Sequence, residues 1–558
     1  MMPVRKLRFF AMITAFALVA AACGEPEPLT IEEAQVQLQE LVDDVGWIDD
    51  PVTRRANLAP AGAADLAQTL PDIDQFPIEV RGNADVVVEV FVSTEKSGDG
   101  TDGWMIEVAE DFNDGRVTLS DGRTAAVSIR EIASGTGYQY IAAGRDIPGG
   151  FSPSNRLWIQ MASVHEPMTS VTEQLVPNVA GIVMKTETAE QLRAEYDDLD
   201  AASLIEAVIS GDVVMGYTDP FASSTGLNFL LTVLDEFADG DQSRLTAPDV
   251  ASVLEQFQQQ VPFVALTTLQ MRESVENENG SLDAFVMEWQ TYVKTESLRS
   301  GFEFIPFGVR HDNPLYAVGD VSPGELETLQ AFADFASRDR YRNLAEDYGF
   351  DPPDYTSDVE IPPGQTLIAA QNLWKEKKDG GRPVAAVFVA DVSGSMAGSR
   401  LVSLQRALRT ARSFISTDAS VGMVEFSDQT VLRLPIEGFD LNQQARFIAA
   451  VEDMDAAGGT AMYDGITLGL SMLLNHKATN PSAKLLLIVL TDGETNEGYT
   501  LNDVQQVIGG LRIPVYSVGF EANLDELGRL SSLVEAATIN ASEEDVEFKI
   551  SALFNAGT

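Results

Sequence analysis

The chain has one cysteine, Cys23, and three histidines, His165, His311 and His476, in 558 residues. A single thiol excludes an intrachain disulfide. The histidines fall in unrelated segments and no His-Glu-x-x-His is present, which removes the commonest zinc-hydrolase signature. No Gly-Lys pair occurs anywhere, so there is no Walker A loop and no in-chain nucleotide motor. Basic residues are scarce, 37 against 85 acidic, for a formal charge of −48. Such a field argues against nucleic acid or an anionic membrane surface as partner and favours cations or basic partners. A saline habitat would select the same composition.

What is present suits a globular protein. The length allows three or four domains at ~150 residues each, and a hydrophobic content of 45% supplies ordinary cores. Arg5, Lys6 and Arg8 precede an apolar stretch from Phe9 to Ala22 that is short for a membrane span. That order resembles a bacterial lipoprotein signal peptide over residues 1–22, which implies Cys23 as the lipidated first residue and a lipid anchor to the cell membrane. Ala20 stands where leucine is usual in that family, and plain secretory cleavage is the alternative.

Residues 23–82 read as a tether and lead-in, with Thr30-x-x-Glu33 as a capping box that opens a helix to about Val45. From 83 to 355, short apolar strands alternate with helices, at Val86–Val92, Ala125–Ile129, Ala180–Met184 and Val213–Gly216, which predicts an α/β domain with parallel strands. Hydroxyls and glycines crowd the turns before helices, where free N–H groups attract anions or polar ligands. Ser93, Ser134, Thr136, Ser223, Ser224 and Thr225 are therefore candidate contacts for a small polar or anionic solute. With Gly211 to Asn228, Gly135 to Tyr138 and Phe151 to Asn155, this half resembles bacterial extracellular solute-binding proteins. The resemblance implies the type II periplasmic-binding fold, two lobes around a cleft. Gly98 to Gly103 spells a dinucleotide fingerprint, but two carboxylates inside it would repel a pyrophosphate, so a flexible polar loop is expected. The acidic run from Glu276 to Gly280 reads as a solvated turn.

A linker over 356–382, helical from Gln365 to Lys378, leads into residues 383–558. There an apolar run from Val384 to Ala390 ends in Asp391, followed by Ser393 and Ser395. Three oxygen side chains at alternate positions of a glycine-containing turn can point into one small volume, as a hard divalent cation requires. Gly458-Gly459-Thr460 presents another hydroxyl, and a second apolar strand, Leu485–Leu490, runs into Thr491-Asp492-Gly493. These three segments resemble the von Willebrand factor A domain and its metal-ion-dependent adhesion site. The resemblance implies a doubly wound, mostly parallel, Rossmann-like sheet. It also implies Asp391, Ser393, Ser395 and Thr460 as ligands of Mg²⁺ (or Mn²⁺), directly or through water, and Asp492 acting through water. An open position on such an ion accepts a carboxylate from a protein or cell-wall partner. Asp464 reads as a helix-terminus or supporting residue. No general base is evident beside Asp391, so binding is expected and catalysis is not. The alternative reading is the solute receptor of an ABC importer with an accessory A domain. A third is a surface protein whose cleft is vestigial.

Overall fold

The structure, a computed structural model, describes residues 29–58, 65–98, 100–196, 199–268, 270–272, 282–493, 495–520, 524–533 and 538–557. The expected signal peptide, Cys23 and the acidic run 276–280 lie outside the described residues. In chain order the described strands are β1 (Ile48–Asp49), β2 (Ile78–Val80), β3 (Val86–Val92), β4 (Ala125–Glu131), β5 (Gly150–Ser152) and β6 (Met168–Thr172). Then come β7 (Ala180–Lys185), β8 (Met215–Thr218), β9 (Phe263–Ala265), β10 (Ala284–Glu288), β11 (Phe302–Phe307) and β12 (Leu315–Val318). The last third contributes β13 (Val384–Asp391), β14 (Ser420–Phe426), β15 (Thr430–Gly438), β16 (Lys484–Thr491), β17 (Val515–Phe520) and β18 (Thr538–Ala541).

These form three sheets, in the orders β2-β4-β3-β5-β12-β6, β11-β7-β10-β8-β9 and β1-β15-β14-β13-β16-β17-β18. The first two are the lobes of one domain, and the chain crosses between them twice, after β6 and after β11. Parallel pairing, as expected, joins β3 to β4 and β5, and β8 to β9 and β10. The expectation fails for β2, β6, β7, β11 and β12, which pair antiparallel. The crossings account for much of this, because β7 enters the second lobe at the boundary where β11 leaves it, so the two run in opposite directions.

In the third sheet every residue of β13 is buried. An uninterrupted apolar run suits a central strand covered on both faces, and β13 pairs parallel with both β14 and β16. The helices that matter below are α1 (Ile31–Asp44), α2 (Ser134–Ala143), α3 (Arg156–Ala162), α4 (Ser224–Phe237), α5 (Pro248–Gln260) and α6 (Gly364–Lys377). Further on are α7 (Ser399–Ala411), α8 (Leu441–Asp453), α9 (Met462–Thr479), α10 (Leu501–Leu511) and α11 (Val546–Gly557). One face of the third sheet packs with α7, α8 and α11, the other with α1, α9 and α10.

Two stretches expected to be connectors are packed structure. The capping box at Thr30 and Glu33 forms and starts α1, whose Ala34, Leu38 and Val42 are buried against the C-terminal domain. Beyond it β1 adds a parallel strand to β15, and Arg54 pairs with Glu452 and Asp453 of α8. The first part of the lead-in thus completes the last domain, while β2 near its end joins the sheet of the first lobe. The linker helix also forms, as α6, but Leu367, Ala370 and Trp374 are buried in the core of the two-lobed domain. It lies across both lobes, on α3 of the first and on α4 and α5 of the second. A Cβ at Gly364 would stand 2.0 Å from the Gln160 carbonyl oxygen, so only glycine lets α6 approach this closely. No described helix is long and apolar enough to cross a membrane.

Candidate functional site

Asp391 ends β13, and Asp492 follows β16 directly; these neighbouring strands flank the point where the sheet order reverses, the usual ligand position in open α/β sheets. The turn after β13 is set by its own side chains. The Ser393 N–H donates to Asp391 Oδ1 at 2.7 Å, and the Thr491 hydroxyl donates to Oδ2 at 2.5 Å. Both carboxylate oxygens are therefore fixed in direction. Ser393 Oγ and Ser395 Oγ stand 3.0 Å apart, and Ser395 Oγ donates to Asp492 Oδ1 at 2.7 Å. Four of the five expected ligands thus form one continuous hydrogen-bonded chain.

The loop that carries Thr460 reaches the same corner through Gly458. The Gly394 N–H donates to the Gly458 carbonyl at 3.1 Å. Gly458 has φ +86°, the left-handed region that favours glycine, and a Cβ there would press on the Asp428 carboxylate at 2.4 Å. The Thr460 loop is then pinned to the segment after β16. Its N–H donates to Asn496 Oδ1 at 2.8 Å, and its carbonyl accepts from the Asn496 N–H and the Thr495 hydroxyl, each at 2.9 Å. Asp464, in the first turn of α9, accepts the Tyr499 N–H at 2.8 Å and so holds the far end of that segment. Sequence reading missed Thr491, Thr495 and Asn496 as supports, although the first sits inside the quoted Thr-Asp-Gly motif. It also missed Arg400, which donates to Asp492 Oδ2 at 2.9 Å from the first turn of α7.

Among the described residues, no cluster of three or more His, Cys, Asp and Glu gathers in metal-binding fashion. The donors at this corner are instead two carboxylates and three hydroxyls. Oxygen-only donors with few charges match a cation that keeps part of its water, as Mg²⁺ does. Asp391 is fully buried. Burial pushes its carboxyl up, Ser393 and Thr491 pull it down by hydrogen bonding, and the like charge of Asp492 adds to the rise. Two acidic groups facing each other out of water fit a bound cation.

The six cleft candidates are all buried, and five of their hydroxyls bond within the protein. The Lys96 ammonium donates to Ser93 Oγ at 2.5 Å and to the Ser152 carbonyl at 2.8 Å. Ser134 Oγ accepts the Ser154 N–H at 3.3 Å, and Thr136 lies in the first turn of α2. Ser223 caps α4 by accepting the Gly226 N–H at 3.3 Å, and Ser224 Oγ accepts from the Trp158 indole at 2.9 Å. Thr225 donates to Glu288 at 3.5 Å, which also takes His311 Nδ1 at 2.9 Å and the Asn178 amide at 2.8 Å. His311 Nε2 sits 3.0 Å from the Asn155 amide and 3.1 Å from that of Asn228, a satisfied core histidine. Several of these bonds cross the lobes, as does the Gly135 N–H to the Ala222 carbonyl at 3.1 Å. The expected flexible loop at Gly98 to Gly103 is likewise engaged. Asp102 is buried and accepts from Gln290 at 3.0 Å and Arg272 at 3.4 Å across the boundary. Opposing Glu95 and Glu288 is Lys96, whose ammonium is pulled down by burial.

Residues 386–554 match the family model of the von Willebrand factor type A domain, and residues 97–351 match that of the bacterial extracellular solute-binding protein. Inter-alpha-trypsin inhibitor heavy chain H3 of Homo sapiens is 32% identical over 156 residues, 26% of this chain and 17% of that protein. The Bos taurus H3 chain is 30% identical over 155 residues, again 26% and 17%. The chain thus spans about a sixth of the length of these curated relatives. Among solved structures, a von Willebrand factor type A protein from Catenulispora acidiphila aligns at 20% identity and TM-score 0.28, over 31% of this chain and 42% of that one. A periplasmic thiamin binding protein aligns at 10% identity and TM-score 0.38, over 54% and 99%. The chain therefore carries two family domains in tandem, a bacterial extracellular solute-binding domain and, after it, a von Willebrand factor type A domain.

Proposed function

We propose that this is an extracytoplasmic binding protein, anchored through a lipid on Cys23, whose A domain takes a protein or cell-wall partner by one of its carboxylates. The observation that supports this most is the hydrogen-bonded chain from Asp391 through Ser393 and Ser395 to Asp492, with the Thr460 loop tied against it. Asp391, Ser393, Ser395 and Thr460 are the residues that would hold Mg²⁺ or Mn²⁺, with Asp492 acting through water. When bound, such an ion supplies an electron-poor position for a carboxylate oxygen. The protein's part is to keep Asp391 aimed, through the Ser393 N–H and the Thr491 hydroxyl, and to hold three loops in one corner. Nothing in this role calls for bond making, and the reading is of a binder, with no enzyme activity and no nucleic-acid partner.

Within this reading the two-lobed domain serves as a support. Five of the six hydroxyls that a transported solute would need already bond within the protein and, in part, across the lobes, which favours this over an importer's receptor. Calorimetry tests the proposal: Mg²⁺ should bind the wild type and lose at least about a hundredfold in affinity in Asp391→Ala, as loss of the only directly coordinating carboxylate implies. Equal affinity for both proteins would refute the site. Partner capture indifferent to EDTA would refute the mechanism even with metal bound.

A further inference from the structure

Between α2 of the first lobe, the brace α6 and the last helix α11 lies a pocket of about 720 Å³. That volume falls in the range of sites that enclose small organic molecules, and domain junctions are where such sites concentrate. The pocket shares no residue with the candidate metal centre. Tyr138 and Gln139 come from α2, Arg145 follows it, Phe221 comes from the second lobe, Lys375 from α6 and Asn555 from α11.

Its charged groups are unbalanced in one direction. Asn555 Nδ2, a donor, and Gln139 Oε1, an acceptor, are buried with no hydrogen-bond partner among the described residues, and Asn555 as a whole is 1% exposed. A buried donor left unpaired, as Asn555 Nδ2 is, costs stability that a bound acceptor restores. The Arg145 guanidinium is held in place by the carbonyls of Leu70 and Pro71, at 2.9 and 3.1 Å, which leave its charge uncancelled. Lys375 is half-buried over the Phe414 ring, 5.5 Å from its centroid. The one carboxylate of the lining, Asp65, is engaged in capping its own turn through the Ala67 N–H and the Gln68 amide. The lining carries two cations against one acid, with the buried Asp219 carboxyl beside Lys375 behind it, a net positive lining in a chain of net charge −48. Its walls also offer flat apolar surface, in Phe221 and in Tyr138, whose ring packs 5.7 Å from that of Trp158.

We propose that this pocket binds a small aromatic monocarboxylate, with the carboxylate taken by Lys375 and the Asn555 amide and the ring laid against Tyr138 and Phe221. The fluorescent probe 2-naphthoate tests this on the full chain, by titration and calorimetry. Saturable one-to-one binding is expected, with the neutral 2-naphthalenemethanol at least about tenfold weaker, because the charge-assisted bonds are lost. Lys375→Gln should weaken 2-naphthoate by about tenfold for the same reason. Asn372→Asp adds a like charge on an exposed lining residue of α6. It should weaken binding while leaving the thermal midpoint unchanged, so the outcome does not depend on Lys375→Gln folding. Absence of saturable binding, equal binding of the alcohol, or indifference to both variants would each overturn the proposal.

Discussion

The corner after β13 and the boundary between the lobes are built from the same materials, buried hydroxyls and carboxylates at strand and helix ends, yet they are organised differently. At the corner, most partners come from the same turn or an adjacent loop of one domain: Asp391 is held by Ser393 and Thr491, and Thr460 by Asn496. At the boundary many partners come from the other lobe, as Ser224 takes Trp158 and Asp102 takes Gln290. A set held locally keeps its geometry whatever the rest of the molecule does and is free to serve a ligand. Groups satisfied across a boundary are spent on keeping that boundary closed. Substitutions at the boundary should therefore cost stability, and substitutions at the corner should cost binding.

The sharpest break of this contrast is Glu288→Ala. It strips partners from His311, Asn178 and Thr225 in a fully buried position. Orphaned buried polar groups of this kind lower stability by roughly 3–5 kcal/mol, readable as a lower urea midpoint, with Mg²⁺ affinity of the folded fraction unchanged. Asp391→Ala should do the reverse, removing metal binding while costing only about 1–2 kcal/mol for the two donors it orphans. If the two variants gave the same stability loss, the contrast would fail.

A titration sharpens it further. Asp219, buried at the end of β8, has its carboxyl pushed up to about 7 by burial, against the Phe221 N–H and the charges of Lys378 and Lys375. The folded state then holds this proton where the unfolded chain has released it. Its contribution to stability is full below roughly pH 4 and is lost as pH rises through about 7, at up to roughly 1.4 kcal/mol per unit. Asp219→Asn should remove that slope. Urea midpoints of the two proteins at about pH 5 and about pH 8 should converge or cross toward the variant at the higher pH, and parallel curves would exclude the effect. The smallest expected change is at Arg400. Taking its guanidinium away from Asp492 removes a competing cation, so Arg400→Ala should tighten Mg²⁺ binding by roughly threefold to tenfold at low salt. Calorimetry showing weaker binding would instead make Arg400 a support of the site.

Much of the last domain was legible because its central strands are unbroken apolar runs. Val384 to Ala390 and Leu485 to Leu490 are the cores of β13 and β16. In contrast, β15 was not seen, since Arg433, Pro435 and Glu437 interrupt its pattern and its burial is partial. Periodicity also recognised α1 and α6 as helices while assigning them to connectors. An amphipathic pattern states that one face must be covered and says nothing about what covers it. Helix α1 reaches its neighbours α10 and α9 from more than 400 positions away in the chain. The cleft hydroxyls were legible as helix-end groups for the same local reason, while Trp158 and Glu288, partners of Ser224 and Thr225, carry no local signature at all.

The docking of the lead-in on the last domain also sets where mechanical load would run. Segment 29–58 is fixed to that domain by α1 against α10, by β1 alongside β15, and by Arg433 to Asp50 and Arg54 to Glu452. Tension applied at residue 29 and resisted by a ligand at the end of β13 would be borne by one sheet and its covering helices. The lobes, inserted between β1 and β13 in the chain, lie outside that path. A pulling experiment on such an arrangement would load the short β1–β15 pairing and the α1 contact before any strand of the lobes felt force.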